Sequence, residues 1–333
     1  MANSSDIWTI KAALDWTVGY LERKDDENPR LSAEWLLAEA TSMRRVDLYV
    51  NFDRPLSTDE RAVFRNYVAR RAAGEPLQYI TGEVAFRHIA VKVRPGVLIP
   101  RPETEVLVSE ALGMLPARPR RCATDSLSYE EQAALASARN AGDSDGAAAS
   151  VPATCEQEEG RVLVADICTG SGCIACSIAH EYPCAQVIAT DISPEAVSLA
   201  RENVSALGLA ERVDVMECDL AGDLVVCKPS AFDLLVSNPP YIPDSVMDEL
   251  PEEVSAHEPR LALAGGADGL DVFRRLLDQA RILLKPGAAF AFELHEECLD
   301  AARDLACAAG YADVRVVDDL AGRPRILTGR RRG

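Results

Sequence analysis

From residue 161 onward the chain alternates short apolar runs with amphipathic stretches, and this alternation limits its folds more than any other feature. Runs at 162–167, 187–192, 213–218, 232–237, 288–294, 314–318 and 325–328 have the length and composition of buried strands. Between them, 173–181, 194–207, 270–284 and 296–309 carry apolar residues at helical spacing. Short parallel strands separated by helices specify an α/β fold with a doubly wound sheet. Only a turn, AGRP at 321–324, separates the last two strands, so they should form an antiparallel hairpin at the sheet edge.

The run at 232–241, FDLLVSNPPY, breaks off abruptly. Pro239 and Pro240 lack the N–H that a central strand needs, so the chain must leave the sheet at Asn238. An amide side chain, fixed backbone carbonyls and the ring of Tyr241 then sit at the carboxyl end of a strand, where open α/β sheets bind ligands. This corner suits an NH2 group on a planar carbon. The Asn238 oxygen can accept one N–H, the Pro239 carbonyl the other, and Tyr241 can cover the flat face. The plainer alternative is a strand that two prolines merely stop.

The first strand of the alternating region ends in DICTGSG, 166–172, and runs straight into a helix. Such a loop lets backbone N–H groups approach a ligand, making Cys168, Thr169, Gly170, Ser171 and Gly172 cofactor-binding candidates. Asp191, at the end of the second strand, is placed to take ribose hydroxyls. Asp219, after the third, can accept from an adenine amino group. Asp191 could equally serve the helix start at Ser193, and Asp219 a turn. The loop alone fits NAD as well as S-adenosylmethionine. Asn238 to Tyr241 separate the two, because hydride transfer has no use for a clamp on NH2, whereas methylating that NH2 does.

The front of the chain reads differently. Residues 6–75 look all-helical, with Ser57 and Glu60 forming a capping box. Residues 77–99 hold two β-rich runs, read as a hairpin linker. The stiff segment PRPETE, 100–105, should then cap a helix over 106–115. Residues 116–160 are rich in Ala, Ser, Asp, Glu and Gly, and are expected to be a flexible insertion with a short helix at 129–139. The expected domains are therefore 1–75, helical; 76–100, linker; and 101–333, catalytic. His88 reads as a packed or surface residue, and His257 as a surface or capping residue rather than a general base.

Charge bears on partners. A net charge of −18 argues against a sequence-independent grip on nucleic acid. The N-terminus carries no signal pattern, and no run reaches transmembrane length, so a cytoplasmic protein with reduced cysteines is expected. Cys168, Cys173, Cys176 and Cys184 match an iron–sulfur spacing, but two fall on an expected helix and one in the glycine loop, and small buried cysteines are the preferred reading.

Taken together, GEPLQYITG at 74–82, LIPRPETE at 98–105, DICTGSG at 166–172, SNPPY at 237–241 and the stretch from Glu258-Pro259 to ALAGGADGL at 262–270 resemble the release factor glutamine N5-methyltransferases, the HemK/PrmC family of class I S-adenosylmethionine-dependent methyltransferases. The resemblance spans nearly the whole chain. It implies a five-helix-like front domain, a hairpin linker and a seven-stranded Rossmann-like catalytic domain. It implies methylation of the glutamine in the Gly-Gly-Gln loop of class I peptide chain release factors. It also implies that residues 168–172 hold the cofactor, that Asp191 takes its ribose, that Asp219 and Leu220 border its adenine, and that Asn238, Pro239, Pro240 and Tyr241 bind the substrate glutamine. Two departures stand out: Cys168 occupies a position the family usually gives to Gly, and the 116–160 segment is long. The remaining alternatives are a methyltransferase for ribosomal-protein glutamine or for a base amino group, and a non-catalytic nucleotide-binding regulator.

Overall fold

The computed structural model describes residues 8–116 and 160–333. The insertion expected at 116–160 falls outside them except for its two end residues, and the helix expected at 129–139 falls outside them entirely.

Five helices come first: α1 (Ile10–Glu22), α2 (Pro29–Thr41), α3 (Arg45–Val50), α4 (Thr58–Ala72) and α5 (Leu77–Thr81). Ile10, Leu14 and Leu21 of α1, Leu36 and Leu37 of α2, Leu48, Phe64, Val68 and Ile80 fill their shared core. The Ser57–Glu60 capping box forms, with Oγ accepting from the Glu60 N–H at 3.1 Å and the Glu60 carboxylate from the Ser57 N–H at 2.7 Å. Helix α5 takes up the start of the segment read as a hairpin linker of two β-rich runs over 77–99. Gly82, at φ +79°, ends that helix and leaves only a short hairpin, β1 (Glu83–Phe86) and β2 (Ile89–Lys92).

Helix α6 (Pro102–Met114) also starts earlier than expected, at the proline rather than at Val106. A first-turn N–H has no partner inside a helix, so Pro102 forfeits nothing there and its fixed φ favours the turn. The early start brings Thr104 into the helix, with consequences for the site below.

The alternating region follows as β3 (Val162–Ile167), α7 (Cys173–Glu181), β4 (Ala185–Asp191), α8 (Pro194–Ala206), β5 (Val213–Glu217), α9 (Gly222–Cys227), β6 (Phe232–Ser237), α10 (Glu252–Ser255), α11 (Asp271–Leu283), β7 (Leu284–Glu293), α12 (Leu299–Ala308), β8 (Ala312–Asp318) and β9 (Pro324–Arg330). The six-residue α9 was not foreseen, because six residues are too few to show a helical period.

The seven strands lie in the order β5-β4-β3-β6-β7-β9-β8. The pairs from β5 to β7 are parallel, while β9 is antiparallel to both neighbours, so the last hairpin closes one edge as expected. Alternate residues feed the two faces. Val164 and Leu234 pack under α6, α7 and α8, whereas Ile167, Leu235, Phe290 and Phe292 pack against α11 and α12. Strand order reverses between β3 and β6, which puts the glycine loop and the Asn-Pro-Pro-Tyr segment side by side at the switch point.

The capping box yields a stability test of the front helices: Ser57→Ala should cost about 1 kcal/mol, read as a lower urea midpoint for the full chain.

Candidate active site

At the end of β6, Ser237 is fully buried and its Oγ donates to the Ile167 carbonyl at 2.6 Å, locking the ends of β3 and β6 together. The chain then turns out through the two prolines. A second segment clamps it from behind: Ile242 N–H donates to Leu263 O, Gly265 N–H to Ile242 O, and Asp244 N–H to Gly266 O. That approach is open only to glycine. A Cβ on Gly265 would lie 2.7 Å from the Tyr241 carbonyl carbon, and one on Gly269, at φ +74°, would lie 2.5 Å from the Tyr241 oxygen.

A cavity of about 430 Å³ opens at this sheet edge. Its walls include Cys168 to Ser171, Asp191, Asn238 and Pro240 from the expected set, together with Val97, Arg101 and Thr104 from the hairpin exit and α6. Gly172, Pro239, Tyr241, Asp219 and Leu220 do not line it. Asp219 is exposed and ion-paired to Arg275 at 2.7 Å. Leu220 is buried, and its carbonyl accepts from Thr190 Oγ1 at 2.7 Å.

The carboxylates around the glycine loop differ in their partners. Asp166 Oδ2 accepts from Thr169 Oγ1 at 2.6 Å and from Ala175 N–H at 3.0 Å, while Oδ1 is buried without a partner among the described residues. Burial pushes its carboxyl up to about 7, against the pull of those two donors. Asp191 accepts from the backbone N–H groups of Gly170 and Ser193, both at 2.9 Å; burial raises it as well. Its tie to Gly170 and its place in the cavity wall join the two readings offered by the sequence, because the helix-start contact and the ligand-facing position coexist. Asn203 braces the loop from the far side, giving Nδ2–H to the Ser171 carbonyl at 2.8 Å and accepting from Lys92 N–H of the hairpin at 2.8 Å.

Cys168 adopts φ +60°, the left-handed conformation that glycine would take without strain, and it is half-buried in the cavity wall. Burial, with Asp191 nearby, pushes its thiol well up. Cys173 and Cys176 lie on α7 and Cys184 just before β4; among the described residues no three His, Cys, Asp or Glu side chains converge as a metal site.

Two residues absent from the sequence reading complete the site. Asn238 Nδ2–H donates to Thr104 Oγ1 at 3.1 Å; Thr104 Oγ1–H donates to Glu293 Oε2 at 2.8 Å; and Tyr241 O–H donates to Glu293 Oε1 at 3.1 Å. Glu293, the last residue of β7, is fully buried, and burial raises its carboxyl against the two hydroxyl donors. A lone carboxylate closing the run AAFAFE was the available signal.

The loop above the cavity is tethered at several points. Arg101 binds Glu258 at 2.5 Å, and Arg71 of α4 binds Glu253 at 2.9 Å and Asp26 at 2.6 Å. Pro259 and Leu261 of the same loop reach the cavity wall. His257 faces the front helices, near Gly74, and does not line the cavity.

The family described as PrmC N-terminal domain matches residues 12–82, and the Methyltransferase small domain family matches 141–256. The release factor glutamine methyltransferase of Geobacter sulfurreducens is 40% identical over 330 residues, covering 99% of each chain. That of Moorella thermoacetica is 40% identical over 325 residues, covering 97% of this chain and 99% of its own. A crystal structure of a methyltransferase from Pyrococcus furiosus overlaps 52% of this chain and 76% of its own at 20% identity, with a TM-score of 0.40.

Two measurements probe the site's construction. Gly269→Ala should destabilise the protein by about 2 kcal/mol or more in urea denaturation, combining left-handed strain with an overlap on Tyr241. The raised Asp166 carboxyl holds its proton more tightly folded than unfolded, so its contribution to stability is greatest below the ordinary 3.8 and is lost as pH rises towards about 7. Asp166→Asn cannot ionise; the ligand-free variant should therefore gain on wild type as pH rises from 4 to 8, and parallel pH curves would contradict this.

Proposed function

The chain belongs to the release factor glutamine methyltransferase family, and from that premise we propose that it transfers the methyl group of S-adenosylmethionine to the side-chain nitrogen of the glutamine in the Gly-Gly-Gln loop of class I peptide chain release factors. The observation that carries this reading is the single cavity wall shared by the glycine loop and Asn238, with the Asn238 amide nitrogen already engaged by Thr104 and its oxygen left for a donor.

The residues present suit the cofactor. Among the described residues Asp166 Oδ1 and Ser171 Oγ beside the glycine loop are buried without a hydrogen-bond partner, and Ser171 lines the cavity. Cys168 to Gly172 and Asp191 would hold it, Asp191 through the ribose, while Asp219 and Leu220 would act from outside the wall at the adenine edge. When bound, the cofactor supplies an electrophilic sulfonium methyl.

The chain's own groups do the rest. An amide nitrogen is a poor nucleophile because its lone pair is delocalised into the carbonyl. Asn238 Oδ1 on the cavity wall and the Pro239 carbonyl just outside it would hold its two N–H groups and aim the lone pair, with Pro240 walling the glutamine and Tyr241 acting from behind that wall. As the nitrogen gains positive charge, these acceptor dipoles already point at it, and that stabilisation needs no reorganisation. Positioning supplies much of the remainder. The site needs no strong base before transfer, since the product nitrogen sheds its proton readily.

In the same reading residues 1–75 dock the protein substrate, 76–100 link, and 101–333 catalyse. No helix among the described residues is long and apolar enough to cross a membrane. We place the protein in the cytoplasm, with release factors rather than nucleic acid as its stable partner.

The test is labelled S-adenosylmethionine with intact release factor, ribosomal protein and DNA offered in parallel. Label should enter the release factor glutamine alone; label only in another acceptor would refute the reading. Asn238→Ala should lower methyl transfer by about 100-fold or more while cofactor affinity, measured by calorimetry, stays within a few-fold.

A further inference from the structure

Thr104 and Glu293 lie outside the Asn-Pro-Pro-Tyr motif, 189 residues apart, yet they decide how its two polar side chains are held. We propose that this pair is the positioning device for the acceptor amide: it fixes the Asn238 carboxamide with its oxygen towards the cavity and so selects an N–H-bearing acceptor over a carboxylate, an inference that rests on the glutamine reading above.

The argument is one of proton direction. A hydroxyl has one proton to give. Thr104 gives its proton to Glu293 Oε2 at 2.8 Å, so its oxygen can only accept from Asn238. The group 3.1 Å away on Asn238 must then be the NH2 end. Reversing the carboxamide would set oxygen against oxygen. Because the carboxamide is planar, fixing its nitrogen turns its oxygen the other way, on a side chain that forms part of the cavity wall.

Glu293 anchors this direction in its ionised form, since a carboxylate only accepts. Its second oxygen takes the Tyr241 hydroxyl at 3.1 Å, so one side chain holds both ends of the motif. Glu293 is 1% exposed and Thr104 2%, which leaves no bulk water to replace either partner or to reset the chain. The Asn238 oxygen thus meets the acceptor with a fixed negative dipole. An amide N–H satisfies it, and a carboxylate in the same place is repelled. Thr104 reaches this position because α6 begins at Pro102, two residues before it.

The experiment uses the full-length protein, with an intact release factor as substrate and the same release factor carrying glutamate at the acceptor position as competitive inhibitor. Thr104→Val should lower kcat by about 10- to 100-fold, with cofactor affinity within about twofold of wild type. It should also shrink the preference for the glutamine over the glutamate release factor by about tenfold. Thr104→Ser, which restores the hydroxyl, should recover both. Glu293→Gln, which keeps the shape but leaves one oxygen for two hydroxyl donors, is the second variant should Thr104→Val fail to fold, and it too should lower kcat by about tenfold or more. Wild-type kcat and preference in Thr104→Val or Glu293→Gln, or equal impairment in Thr104→Ser and Thr104→Val, overturns the pair's role while leaving the glutamine reading intact. A wild type that methylates no release factor overturns the glutamine reading, and the amide selection with it.

Discussion

A central strand that runs into two prolines cannot stay in its sheet, and the architecture of the site depends on that single loss of backbone donors. Pro239 and Pro240 turn the chain out beside the end of β3, where Ser237 pins the exit to Ile167. The freed backbone from Ile242 onward then finds its partners in the 263–266 segment, which approaches so closely that residues 265 and 269 have no room for a side chain. The corner is therefore built by exclusion. Pairing is denied on one side and close packing is imposed on the other, leaving the side chains of Asn238 and Tyr241 bonded to Thr104 of α6 and Glu293 of β7.

Carboxylates set the character of this edge. Asp166, Glu293 and Glu258 are buried and Asp191 is half-buried; burial raises all four, each against specific donors. No arginine or lysine neutralises Asp166 or Asp191 at ion-pair distance among the described residues. Such an edge favours a ligand that carries positive charge, as the proposed sulfonium cofactor does, and it gives the chain's overall acidity a local use.

Much of this was legible in the sequence, for reasons that also explain what was not. The bounds of β3, β6 and α7 follow from apolar runs cut off by glycine, proline or a periodicity change, all local signals. Helix α5 hid inside a β-rich composition, and α9 inside a short run holding two valines; both are short enough for packing to override propensity. The glycine loop, Asp191 and Asn238 were visible because sequence position alone places them at strand ends. Thr104 and Glu293 were not, since their roles exist only after α6 docks on β7, across 134 residues from Thr104 to Asn238 and 189 to Glu293. His257 shows the converse: a residue type suited to chemistry, turned by the fold towards the helical front end.

The tethers of the 252–262 loop have a mechanical meaning. Arg71 of α4 joins the loop to the connection between α1 and α2, Arg101 joins it to the start of α6, and the loop's own apolar residues line the cavity. The roof of the small-molecule cavity is thus suspended between the helical front end and the sheet, like a bridge deck with a footing on each bank. Neither bank can shift without tilting the deck, so the proposed seating of a partner on the helices and the proposed retention of a small ligand underneath would draw on the same few ion pairs.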